Sequence, residues 1–115
     1  ILISIHCNAA GSDGKWHTAK GWSVYVSKNA SSNSKKLADC LKNSANEEGL
    51  NIRLQYPNKS YWEQSLAICR DTNCPAVLTE NLFQDNKDDV EFLLSENGKK
   101  AITNLHVNGI INYLK

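Results

Sequence analysis

The chain has no methionine and only two prolines, and none of its apolar runs comes near the length needed to cross a bilayer. Each absence excludes something. Without methionine, residue 1 is not a translation start, and residues 1–5 have neither the basic region nor the long apolar segment of a secretory signal. The chain is therefore expected to be a piece of a longer polypeptide, cut just before or inside a core strand, with the N-terminal part of its domain missing. Charge bias is absent too: 13 basic and 12 acidic residues are mixed along the chain, so there is no phosphate-binding stripe and nucleic acid is not expected as a partner. The four cysteines (Cys7, Cys40, Cys69, Cys74) include no CxxC pair, which argues against a zinc knuckle. Their even number permits a Cys69–Cys74 disulfide without demanding one. Repeats, low-complexity runs and linkers are also missing, so residues 1–115 read as a single partial domain of ordinary composition.

What is present is an alternation of strand and helix signals. ILISI is rich in β-branched residues and leads directly to His6, so a buried strand is expected to end by presenting an imidazole. The glycine-rich GSDGKWHTAKG that follows is a surface loop, where sites tend to lie. WSVYV, residues 22–26, alternates as the next strand. ASSNS offers N-caps for a helix reaching about residue 48, with Leu37, Leu41 and Ala45 spaced by four and Gly49 placed to stop it. Residues 50–62 read as a long loop with a short extended piece, and SLAIC as a short strand. PAVLTE forms a buried strand that ends by presenting Glu80, as the first presents His6. DDVEFLLS predicts a short helix with acidic residues in its first turn, and residues 98–114 a terminal helix carrying Ile102, Leu105, Gly109, Ile110 and Tyr113 on one side. The fold class expected is α/β, a largely parallel or mixed sheet flanked by helices.

Two strands that end in a histidine and a glutamate suit hydrolytic chemistry, because an imidazole can hold a metal ion and a carboxylate can move a proton. His6 and Glu80 are expected to face one another across a cleft at the strand ends. The other candidates have plainer readings. His17 is a solvated loop residue and His106 a structural one. Cys7 points to the face opposite His6, which disfavours a nucleophilic pair. Tyr61 and Trp62 are aromatic enough to stack on a sugar ring.

ISIHCNAA, followed after the glycine-rich loop by GWSVYV, resembles the zinc-histidine segment of the N-acetylmuramoyl-L-alanine amidases of the amidase-3 family. SLAICRDTNCPAVLTENLFQDNKDD resembles the later segment of that family, in which a strand ends in a glutamate followed by a phenylalanine and an asparagine, here Glu80, Phe83 and Asn86. The resemblance implies Zn2+-dependent hydrolysis of the amide between muramic acid and L-alanine in peptidoglycan, outside the cytoplasm or as a phage-encoded lysin. It implies His6 as a metal ligand, Glu80 as the catalytic general base and acid, and Asn8 as a local hydrogen-bonding residue. The family's other ligands precede the segment that His6 matches, so these 115 residues alone are expected to bind zinc weakly and to be inactive. The alternative is a non-catalytic peptidoglycan-binding module on the same fold. Leu82 stands where the family usually has glycine and is expected to narrow the cleft; Ser23 stands where glutamate is common and is expected to change only a strand contact.

Overall fold

The computed structural model describes residues 1–115. Strands β1 (Leu2–Asn8), β2 (Trp22–Val26), β3 (Trp62–Glu63) and β4 (Ala76–Phe83) form one sheet in the order β1-β4-β2-β3. β1 runs parallel to β4, β2 antiparallel to β4, and β2 parallel to β3, so this α/β sheet is mixed. The helices are α1 (Ser32–Glu47), α2 (Ala67–Arg70), α3 (Lys87–Leu94) and α4 (Glu96–Leu114). None is long and apolar enough to cross a membrane.

The core lies between one face of this sheet and helices α1 and α4. Alternation along β2 turns Trp22, Val24 and Val26 inward, where all three are fully buried against Val77, Leu37, Ala38, Leu41, Ala45 and Leu105. Burying side chains of this size contributes about 1.5–3 kcal/mol each. Ser31 caps α1 by accepting from Ser34 N at 3.1 Å, and Gly49 follows the helix at φ +81°, a conformation that a Cβ disfavours. Gly109 lets α4 approach α1 closely, since a Cβ there would lie 2.6 Å from Leu41 Cδ2.

Three features differ from the sequence reading. SLAIC is not a strand: Ala67–Arg70 form one helical turn, with Cys69 buried and Ile68 half-exposed. A five-residue apolar run carries too little periodicity to separate the two states. β1 and β4 continue past His6 and Glu80, to Asn8 and Phe83, because their parallel ladder continues through a register shift to Asn8 opposite Phe83. α4 starts at Glu96 rather than Gly98, capped by Ser95 accepting from Gly98 N at 3.0 Å. All four cysteines are free, so Cys69 and Cys74 are not bridged.

A buried polar chain runs through the core. Trp22 Nε1 donates to Asn81 Oδ1 (2.8 Å), and Asn81 Nδ2 donates to Thr79 Oγ1 (2.9 Å) and to the backbone oxygen of His6 (3.0 Å). His106 completes it, with Nε2 3.0 Å from Thr79 Oγ1 and Nδ1 2.7 Å from the Ile102 carbonyl. A carbonyl only accepts, so Nδ1 carries the proton and Nε2 accepts from the threonine hydroxyl. Burial pushes the His106 pKa below its ordinary 6.5, which favours the neutral ring in the folded chain. The unfolded chain takes up a proton that the folded one resists. The stability contributed is thus complete above pH 6.5 and is lost as pH falls from 6.5 through the lower folded value. Urea midpoints measured from about pH 7.5 down to about pH 5.5 should decline, less steeply in His106→Gln. An equal decline in that variant would assign the effect to other groups.

Candidate active site

The sheet face turned away from α1 carries the site. In the parallel ladder His6 stands opposite Glu80, and in the antiparallel ladder Ser23 stands opposite Glu80, so the three side chains share one face on adjacent strands. Strands pair at about 4.8 Å, which makes His6 and Glu80 direct neighbours. His6 is exposed and Glu80 half-buried, so the pair sits on an open sheet surface rather than across a closed cleft. β1 is the outermost strand of the sheet that these 115 residues form. Burial raises the Glu80 carboxyl above its ordinary 4.5, and the neighbouring His6 charge offsets part of the rise. A carboxyl raised in this way is better matched to proton transfer near neutral pH than an ordinary one.

Ser4 lies two residues before His6 on the same side of β1, and its Oγ is 2.7 Å from His6 Nε2. Alternation was the signal that could have found it. Ser23 is 1% exposed and its Oγ has no hydrogen-bond partner, so a buried orphan hydroxyl lies beside Glu80, which is more than a changed strand contact. Leu82 does not narrow the site. Strict alternation would put it on the Glu80 face, but its φ of +70° breaks the alternation and its side chain joins the core with Trp22 and Leu37. The left-handed region is costly for a side chain like leucine, which gives a physical reason for glycine at such a position.

The segment after β4 organises the loop after β1. Asp89 is buried, and its Oδ2 accepts from Gly21 N (2.9 Å) and Phe83 N (3.0 Å). Asn86 caps α3 by accepting from Asp89 N and donates through Nδ2 to the His17 carbonyl, both at 3.0 Å. Both look in sequence like helix-start residues, and only the fold reveals their second partners. Asn8 accepts from Ala9 N at 2.9 Å, a local contact. His17 is no free surface histidine: it pairs with Asp13 at 2.8 Å, and that bond raises its pKa. Desolvation, and then the Glu80 charge, hold the Cys7 thiol above its ordinary value, against a thiolate role. Trp62 stacks on Tyr25 with centroids 5.5 Å apart and donates through Nε1 to the Arg53 carbonyl, so its ring is engaged within the protein.

A protein-held zinc ion takes about three protein ligands. Within the 115 residues no group of three His, Cys, Asp or Glu side chains is brought together.

Residues 1–112 match the family described as N-acetylmuramoyl-L-alanine amidase. An endolysin of Bacillus phage SPP1 is 28% identical over 114 residues, 99% of this chain and 40% of that protein. The N-acetylmuramoyl-L-alanine amidase CwlM of Bacillus licheniformis is 29% identical over 109 residues, 95% of this chain and 38% of that protein. The chain thus spans about two-fifths of these curated relatives. The crystal structure of an N-acetylmuramoyl-L-alanine amidase from Clostridium difficile 630 superposes with a TM-score of 0.83 at 25% identity, over 98% of this chain and 56% of that one.

Proposed function

This chain belongs to the N-acetylmuramoyl-L-alanine amidase family, and from that premise we propose that it supplies His6 and Glu80 to hydrolysis of the amide between N-acetylmuramic acid and L-alanine in peptidoglycan. The observation that carries the reading is the cross-strand pair itself: a half-buried carboxyl of raised pKa directly beside an exposed imidazole. Glu80 takes a proton from the water that attacks the amide carbonyl. It then returns that proton to the departing alanine nitrogen, which would otherwise leave as a costly anion. Burial suits both halves of this cycle, since a raised pKa makes the carboxylate a better base and keeps the acid available for donation.

His6 is proposed as one metal ligand, with the remaining donors coming from outside these 115 residues. Zinc bound there would polarise the carbonyl and lower the pKa of its water toward about 7. Action on the wall places the protein outside the cytoplasm or makes it a phage lysin, a reading supported by the endolysin among its relatives.

Zinc content and turnover in the full-length polypeptide test the assignment together. His6→Ala should lose zinc, measured by elemental analysis, and release of stem peptide from purified wall in the same preparation. Stoichiometric zinc in an inactive His6→Ala protein would take His6 out of the ligand set.

A further inference from the structure

The loop between β1 and β2 is long, rich in glycine, and braced at Ala10, Gly11, Lys15 and His17. Asp85 accepts from Ala10 N (2.9 Å) and Gly11 N (3.1 Å) through its carboxylate, and from His17 N (2.7 Å) through its backbone oxygen. Asp13 Oδ1 accepts from Lys15 N at 3.0 Å and pairs with His17 Nε2 at 2.8 Å. Trp16 therefore has a fixed residue on each side. Yet Trp16 itself is 60% exposed, more than Tyr56 at 51%.

Trp16 also differs from the other two tryptophans in what its N–H does. The Trp22 N–H is taken by Asn81 and the Trp62 N–H by the Arg53 carbonyl, whereas no protein group takes that of Trp16. The indole borders an open depression of about 510 Å³ whose other walls include Ser12, Lys15, Gln84 and Asp85. One flat apolar ring, flanked by hydroxyl, ammonium, amide and carboxylate groups, matches the surface of a pyranose. The C–H face of a sugar packs on an aromatic ring, while its hydroxyl and acetamido groups need polar partners at the edge. A braced loop also loses little entropy when the sugar binds.

We infer that this loop is a glycan platform, on which Trp16 stacks a β-1,4-linked N-acetylhexosamine ring of the wall polymer, with Gln84, Ser12 and Lys15 beside it. The identity of the glycan rests on the amidase reading; the platform itself rests on the loop. Asp85 ties the loop to the segment following β4, the strand that carries Glu80.

Chitotetraose tests this without turnover, because it has the β-1,4 N-acetylhexosamine backbone and no lactyl–alanine amide. In the full-length polypeptide labelled with 15N-tryptophan, titration should move the Trp16 indole resonance and leave that of Trp22 in place. Trp16→Ala should weaken chitotetraose binding at least about tenfold, with partial recovery in Trp16→Phe. The same substitution should raise KM on polymeric wall. The free dipeptide L-Ala–D-Glu should not move Trp16. An unmoved Trp16 resonance with chitotetraose, or a shift caused by the dipeptide instead, overturns the platform. If chitotetraose moves Trp16 in a protein that releases no stem peptide, the platform stands and the amidase reading fails.

Discussion

Glu80→Gln in the full-length polypeptide should reduce release of stem peptide from purified wall by about 10²–10⁴-fold while leaving its zinc content unchanged. Glutamine keeps the length and hydrogen-bonding reach of glutamate, so the sheet face should not rearrange around it. What it loses is the ability to accept a proton from water and hand it to the leaving nitrogen. The contrast with His6→Ala separates the two roles, since that variant should lose zinc and activity together. The pH profile supplies an independent readout. Burial raises the Glu80 carboxyl, and a base works only when ionised, so the acid limb of kcat/KM should lie above the ordinary carboxyl value of 4.5. Near-normal turnover in Glu80→Gln would remove Glu80 from the proton path. Loss of zinc in that variant would make Glu80 a ligand and exchange the two assignments.

Which parts of this architecture could be read from the sequence depended on how local their causes are. Trp22, Val24 and Val26 alternate strictly, and Leu37, Leu41 and Ala45 repeat every four residues, so β2 and α1 were legible from period alone. β4 was legible only as far as Glu80. Beyond it the positive φ of Leu82 folds that side chain onto the wrong face for an alternating strand, and no propensity rule anticipates leucine there. β3 is two residues long, and it pairs with β2 where Trp62 stacks on Tyr25, a partner 37 positions away in sequence. The site shows the same division. His6 and Glu80 were visible as polar residues closing apolar runs. Their lying side by side is a matter of register, which depends on how whole strands pair and is invisible to either segment alone. Asp89 looked like an acid placed for the α3 dipole. Its larger role, accepting two backbone N–H groups from β4 and from the residue before β2, appears only when those chains have met.

Trp22 ties the core to that site, and replacing it should have the largest effect on stability. Its side chain is fully buried, so Trp22→Ala removes a large apolar group and leaves a cavity in the core cluster, at a cost of about 3–5 kcal/mol. The whole stability of a domain this size is about 5–15 kcal/mol, so much of the Ala variant's population should unfold at modest urea. Trp22→Phe isolates the polar part. Phenylalanine fills most of the space but has no N–H, which leaves Asn81 Oδ1 buried without its donor, at a cost of about 1–3 kcal/mol from that group. Asn81 also donates to the His6 backbone oxygen and to Thr79, so loosening it should disturb β1 where His6 projects. Urea unfolding followed by circular dichroism should therefore rank the proteins native, Phe, Ala. In Trp22→Phe the amide-exchange protection of β1 should fall more than that of α1, which does not share the Asn81 network. Equal losses in the two elements would mean that Trp22 acts through packing alone, and that the hydrogen bond to Asn81 does not reach the site.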